Sequence, residues 1–201
     1  MIRVLLLEDQ AMVRGAMATL LSLEEDIEVV ADVGTGEEAV ATARRVKPDV
    51  ALLDIELPGM SGLDVAAELA TAVPSCRVLI VTTFGRPGYL QRAMDAGASG
   101  FLLKDAPVEE LAIAIRRIHA GERVVDPELA VSALQEGHDP LTTREHEVLR
   151  AAREHDSVAE LARRLHLSEG TVRNHLSAVI QKLGARNRGE AVAIAEQRGW
   201  L

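Results

Sequence analysis

The sequence predicts two domains, a five-stranded, parallel, doubly wound α/β domain followed by an all-α domain built around a helix-turn-helix. Three observations predict this. From Met1 to about Gly121, short apolar β-branched runs alternate with amphipathic stretches, the pattern of repeated βα units. The pattern then breaks across a segment marked by Gly121, Asp126, Pro127, Gly137, Asp139 and Pro140. Beyond it, β patterning is absent and apolar residues recur at helical spacing. A length of 201 residues allows one or two domains. The change of pattern favours two, over 1–121 and 140–201, joined by a linker over 122–139.

The strand candidates are Ile2 to Leu7, Glu28 to Val33, Val50 to Asp54, Val78 to Thr82 and Gly100 to Leu103. None contains proline, and several are almost continuously apolar, as strands covered by helices on both faces are. Helices are expected near 11–22, 37–46, 63–72, 88–96 and 108–120, the last with Pro107 at its start and Gly121 as its stop. In the second domain, Thr142 with Glu145 and Ser157 with Glu160 have the spacing of a capping box, which starts helices near 143 and 158.

Composition excludes several functions. Aromatics are 2% of residues, too few for a stacking platform that binds single strands. A single cysteine, Cys76, excludes a disulfide framework and a multi-cysteine zinc site, and suits a reducing cytoplasm. No apolar run approaches the roughly 18 to 20 residues of a membrane span, and Met1 to Leu7 is too short for a signal peptide, so a soluble cytoplasmic protein without membrane insertion is expected. The net charge of −9 is uneven. Residues 1–125 carry 12 Lys/Arg against 19 Asp/Glu, whereas residues 160–188 carry six basic residues against two acidic ones. Such a local basic patch within an acidic chain suggests a second, different partner.

Ligands of open parallel sheets bind beyond the carboxyl ends of the strands. Here those ends are polar: Glu8-Asp9, Asp54, Thr82-Thr83 and Lys104. Carboxylates converging on one point repel each other and call for a hard cation, for which Mg²⁺ is suited. With that charge neutralised, and with an ammonium nearby, a remaining carboxylate can attack phosphorus, and Asp54 is the candidate nucleophile. Each acid alone could equally be a helix cap or a solvated loop residue. Their joint occurrence argues for a site.

Leu6-Leu7-Glu8-Asp9, Leu53-Asp54-Ile55-Glu56-Leu57-Pro58-Gly59, Ile80-Val81-Thr82-Thr83 and Gly97-Ala98-Ser99-Gly100-Phe101-Leu102-Leu103-Lys104 occur in an order and spacing that resemble the two-component response regulators. In that family a flavodoxin-like receiver domain accepts a phosphoryl group on aspartate from a sensor histidine kinase. The resemblance implies that Asp54 is the phosphoacceptor, Asp9 a direct Mg²⁺ ligand, Glu8 a ligand through water, and Glu56 the donor of a backbone carbonyl. It also implies that Thr82 and Lys104 hold phosphoryl oxygens, and that Phe101 reorients as the Thr82 hydroxyl moves. Many relatives have Asp at the position of Glu8, which keeps the charge on a longer chain. The stretch Thr82-Thr83-Phe84-Gly85-Arg86-Pro87-Gly88-Tyr89 looks most like regulators of fatty-acid desaturase genes.

In the second domain, Val158, Leu161, Ala162 and Leu165, then Val172, Leu176, Val179, Ile180 and Leu183, give two apolar helix faces separated by His166-Leu167-Ser168. That is helix-turn-helix spacing, with Arg173, Asn174, Ser177 and Gln181 recurring off the apolar face of the second helix. Arginine suits guanine and asparagine suits adenine in the major groove. Pro140 to Leu149, Glu160-Leu161-Ala162, Thr171-Val172-Arg173-Asn174-His175 and Lys182 to Arg188 resemble the LuxR/NarL-type DNA-binding domain. This implies a four-helix module on promoter DNA, dimeric on phosphorylation. Arg173, Asn174 and Ser177 would face bases, and Thr171, His175, Lys182 and Arg188 would have phosphate or structural roles. The stretch Ala151 to Asp156 departs from the family in lacking a glycine and an asparagine before the first helix of the pair.

Two other readings fit less of the chain. Asp54-Ile55-Glu56 mimics the motif of haloacid-dehalogenase-like phosphatases, but they carry it on their first strand and have no basic helix-turn-helix. A flavin-binding flavodoxin-like protein needs a Ser/Thr/Gly-rich phosphate loop, where Glu8-Asp9-Gln10-Ala11 would repel the phosphate.

Overall fold

A computed structural model of the chain describes residues 1–83, 85–136, 139–154 and 157–201. Phe84, Gly137, His155 and Asp156, used in the sequence reading, lie outside the described residues. The chain divides into two compact units, Met1–Gly85 with Leu90–Ser132, and Arg86–Tyr89 with Ala133–Leu201.

The first unit is built on β1 (Ile2–Leu7), β2 (Ile27–Val33), β3 (Val50–Leu53), β4 (Arg77–Thr82), β5 (Gly100–Leu103) and β6 (Val124–Val125). Helices α1 (Ala11–Leu21), α2 (Gly36–Val46), α3 (Gly62–Ala72), α4 (Pro87–Asp95) and α5 (Val108–His119) connect them in turn. All neighbouring strands are parallel, in the order β2-β1-β3-β4-β5-β6, so the chain reverses its direction of travel across the sheet at β1. Crevices at such a reversal are where these sheets hold ligands.

The continuous apolar runs are explained by burial on both faces. Val4, Leu6, Leu52, Leu79 and Val81 pack with Leu111, Ile115 and Ile118 of α5. The alternate residues Leu5, Leu7, Leu53 and Ile80 are equally buried, as are Ala39 and Ala43 of α2 and Leu63, Ala66 and Leu69 of α3. Each fully buried leucine contributes about 1.5 to 3 kcal/mol, which fixes the strand register and, through it, the relative heights of the strand ends.

The expected sheet of five strands is corrected to six. Val124 and Val125, inside the segment read as linker, pair with Gly100 and Phe101 of β5. A two-residue β-branched pair is shorter than any window that reveals strand periodicity, and it gains its partner only through the β5 edge. Helix α6 (Pro127–Glu136) follows, with Asp126 Oδ1 accepting from the Leu129 amide at 2.9 Å. Among the described residues, no helix is long and apolar enough to cross a membrane.

The second unit contains α7 (Thr143–Glu154), α8 (Val158–Leu165), α9 (Glu169–Leu183) and α10 (Arg188–Gln197). The Thr142 capping box is complete, since the Glu145 amide donates to Thr142 Oγ1 at 3.3 Å and the Thr142 amide donates to Glu145 Oε2 at 2.7 Å. Ser157 accepts from the Glu160 amide and starts α8. The turn into α9 is made by His166 in the left-handed region (φ 54°), with Ser168 as the N-cap. Val148, Ala152, Leu161, Val172 and Leu176 form one core cluster, and Leu149, Val179, Ala191, Ala195 and Trp200 form another, so α9 is held on two sides.

Candidate functional site

Strand register assembles the acid site. Leu7 pairs with Leu53, and the Asp54 amide donates to the Leu7 carbonyl at 3.0 Å, so Glu8 and Asp9 leave β1 beside Asp54 at the end of β3. Thr82 pairs with Leu103, and the Lys104 amide donates to the Thr82 carbonyl at 2.8 Å, which brings the other two polar ends level.

Carboxylate oxygens of Glu8, Asp9 and Asp54 lie within 4.8 Å of one another. Lys104 Nζ donates to Glu8 Oε2 at 2.5 Å and to Asp54 Oδ2 at 2.7 Å, while the Ile55 amide donates to Asp54 Oδ1 at 2.7 Å. Glu8, Asp54 and Thr82 are buried, and Asp9 is exposed. Burial alone would push the Lys104 ammonium toward neutrality. The hydrogen bonds and charges of Asp54 and Glu8 outweigh it and raise its pKa, so the cation persists at neutral pH. Three hard oxygen donors at this separation suit Mg²⁺, which takes one or two carboxylates plus waters and phosphate oxygens. The Glu56 side chain is exposed and outside this cluster, leaving its backbone carbonyl as its available donor. Phe101 is fully buried on β5.

On α9, a step of roughly 100° per residue puts Arg173, Asn174, Ser177 and Gln181 within one arc, and all four are exposed. The buried Val172, Leu176 and Val179 face the other way. Arg173 pairs with Glu169 at 2.7 Å one turn back, on the surface, where such a pair is worth about 0–1 kcal/mol and is readily exchanged for another partner. Thr171, His175 and Lys182 form a separate stripe, with Lys182 roughly opposite Arg173. Lys182 Nζ donates to the buried Glu145 Oε2 at 2.6 Å.

Residues 4–116 match the response regulator receiver domain, and residues 139–195 match the LuxR family of bacterial regulatory proteins. The chain belongs to the response regulators. This response regulator is 48% identical over 201 residues to the transcriptional regulatory protein YvfU of Bacillus subtilis, and 46% identical over 201 residues to the transcriptional regulatory protein DesR of the same organism, each alignment covering the whole of both chains. It is also similar to the response regulator ChrA of a heme-sensing two-component system, with a TM-score of 0.58 and 35% identity over 100% of this chain and 98% of that one. The regulator therefore couples a receiver to a LuxR-type DNA-binding domain, the architecture of transcriptional regulators.

Two residues around the acid site, Gly62 and Arg14, and the partner of a third residue are not legible in the sequence. A methyl group on Gly62 would fall 1.8 Å from the Asp54 carbonyl oxygen, so α3 can approach the acid site only through glycine. Arg14 reaches back from α1 to the turn carrying Glu8 and Asp9. The sequence marks Glu145 as a capping residue but does not mark its second partner, Lys182. Only the capping spacing at Glu145 left a sequence signal.

Proposed function

We propose that this regulator accepts a phosphoryl group on Asp54 from the phosphohistidine of a sensor kinase in the cytoplasm, dimerises, and binds promoter DNA through α9. The observation that carries this reading is the convergence of the Glu8, Asp9 and Asp54 carboxylates with Lys104 bridging two of them. An Asp54 carboxylate oxygen attacks phosphorus, the P–N bond to the imidazole breaks, and the imidazole leaves with the electron pair and takes up a proton. The product is an acyl phosphate. Asp9, Asp54, the Glu56 carbonyl and, through water, Glu8 would hold a Mg²⁺ ion, which would neutralise charge on the transferred oxygens. Lys104 and the Thr82 hydroxyl hold those oxygens, and the movement of Thr82 lets Phe101 reorient. The regulator thus promotes only the gain and loss of its own phosphoryl group.

On DNA, Arg173, Asn174 and Ser177 face base edges, and Thr171, Arg188 and Lys182 lie toward the phosphates. One helix-turn-helix reads few base pairs, so a symmetric dimer on paired half-sites supplies the remaining contact surface. The test is incubation with a small phosphodonor and Mg²⁺, read by mass spectrometry and sedimentation. One acid-labile phosphoryl group and a doubled mass are expected. Unchanged incorporation in Asp54→Ala overturns the assignment, and an unchanged sedimenting mass overturns the dimer switch.

A further inference from the structure

Helix α1 begins without a side-chain cap, since Gln10 at its N-cap position makes no such hydrogen bond. The turn entering it carries two of the three converging carboxylates, and among the described residues no backbone amide donates to the Glu8 or Asp9 carbonyl. A guanidinium serves them instead. Arg14 Nη1 donates to the Glu8 carbonyl at 2.5 Å and lies 3.5 Å from the Asp9 carbonyl, while Nε pairs with Asp32 Oδ2 of β2 at 3.3 Å. Space for the group is provided across the turn. A Cβ on Gly34 would stand 3.2 Å from Arg14 Nη1 and 4.0 Å from the Glu8 carbonyl oxygen.

We propose that Arg14 is the positioning residue of the acid site: by clamping the Glu8 and Asp9 carbonyls against α1 and β2, in space left by Gly34, it sets how their carboxylates converge on a divalent cation. The inference rests on the reading of that site as a Mg²⁺ site. Two effects of the guanidinium oppose each other. Its hydrogen bonds orient the ligand-bearing turn, and outer partners of metal ligands typically govern affinity by about 10- to 100-fold. Its positive charge repels a nearby cation. The sign of the change on removing it therefore separates positioning from electrostatics.

The experiment is calorimetric titration of Mg²⁺ into the unphosphorylated full-length chain and into Arg14→Met, Arg14→Lys, Gly34→Ala and Asp9→Ala, with unfolding midpoints taken in chelator. Arg14→Met is expected to raise the Kd for Mg²⁺ about tenfold. Arg14→Lys should fail to restore it, because a single ammonium cannot serve a fork of carbonyl and carboxylate partners. Gly34→Ala should weaken Mg²⁺ binding although every charge is retained, and this variant carries the test if Arg14→Met does not fold. Equal or tighter Mg²⁺ binding by Arg14→Met, or an altered midpoint with unchanged Kd in both Arg14→Met and Gly34→Ala, overturns the inference alone. Absence of any Asp9-dependent Mg²⁺ binding by the parent chain overturns the site reading, and this inference with it.

Discussion

A methyl group on Gly62 has nowhere to go but into the Asp54 carbonyl oxygen, 1.8 Å away, so Gly62→Ala must move either the start of α3 or the strand end carrying Asp54. Overpacking of this kind costs about 1–3 kcal/mol. Gly62→Ala is therefore expected to lower the denaturant midpoint and to slow phosphoryl incorporation together. A loss of stability with undiminished incorporation would show that α3 yields and Asp54 does not. Cys76 is a residue of the opposite kind. Burial, followed by the charge of Asp49, pushes its thiol up to about 12, so the thiolate that alkylating reagents need is scarce at neutral pH. Mass spectrometry should find Cys76 unlabelled in the folded protein and labelled in denaturant.

Helix α9 sets Arg173 and Lys182 on different sides, which gives their substitutions distinct expected signatures. Arg173→Ala should cost about 1 to 3 kcal/mol of discrimination at one position of each half-site, measured by titration against single-base operator variants. Lys182→Ala should weaken all sequences alike and also destabilise the helical unit, because it leaves the buried Glu145 carboxylate in the first turn of α7 without its cationic partner. Burial raises the Glu145 pKa, but hydrogen bonds from Lys182 and Thr142, with the Lys182 charge, outweigh it and leave it lowered. A lowered folded-state value means that the stability from this pair is complete above the ordinary glutamate pKa of about 4.3 and is lost as pH falls through the folded value. Unfolding of Glu145→Gln should accordingly show a flatter acid limb than the parent. The boundaries of α7 and α8 were legible from the Thr142 and Ser157 boxes, because a cap is a local signal. The Glu145–Lys182 pair was not, since it joins residues on different helices and nothing in either segment marks the other.

Across the whole molecule, legibility follows the same division between local pattern and tertiary pairing. Five strands are legible in their apolar runs, and the polar strand ends mark Glu8, Asp9, Asp54, Thr82 and Lys104 from the sequence. The sixth strand, the Arg14 clamp and the Gly62 approach could not be read, because each exists only once distant segments meet. The acid site draws on the ends of β1, β3, β4 and β5, from Glu8 to Lys104, so no stretch of unfolded chain contains more than a fragment of it. A cation that binds there binds the native sheet almost exclusively, and its binding free energy becomes folding free energy. At a Mg²⁺ concentration 100 times its Kd the gain is about 2.7 kcal/mol. Heating with Mg²⁺ and then with chelator should shift the melting of the sheet-containing unit upward in the first case and leave the helical unit where it was. Divalent cation supply would thus set the margin by which the receiver resists unfolding.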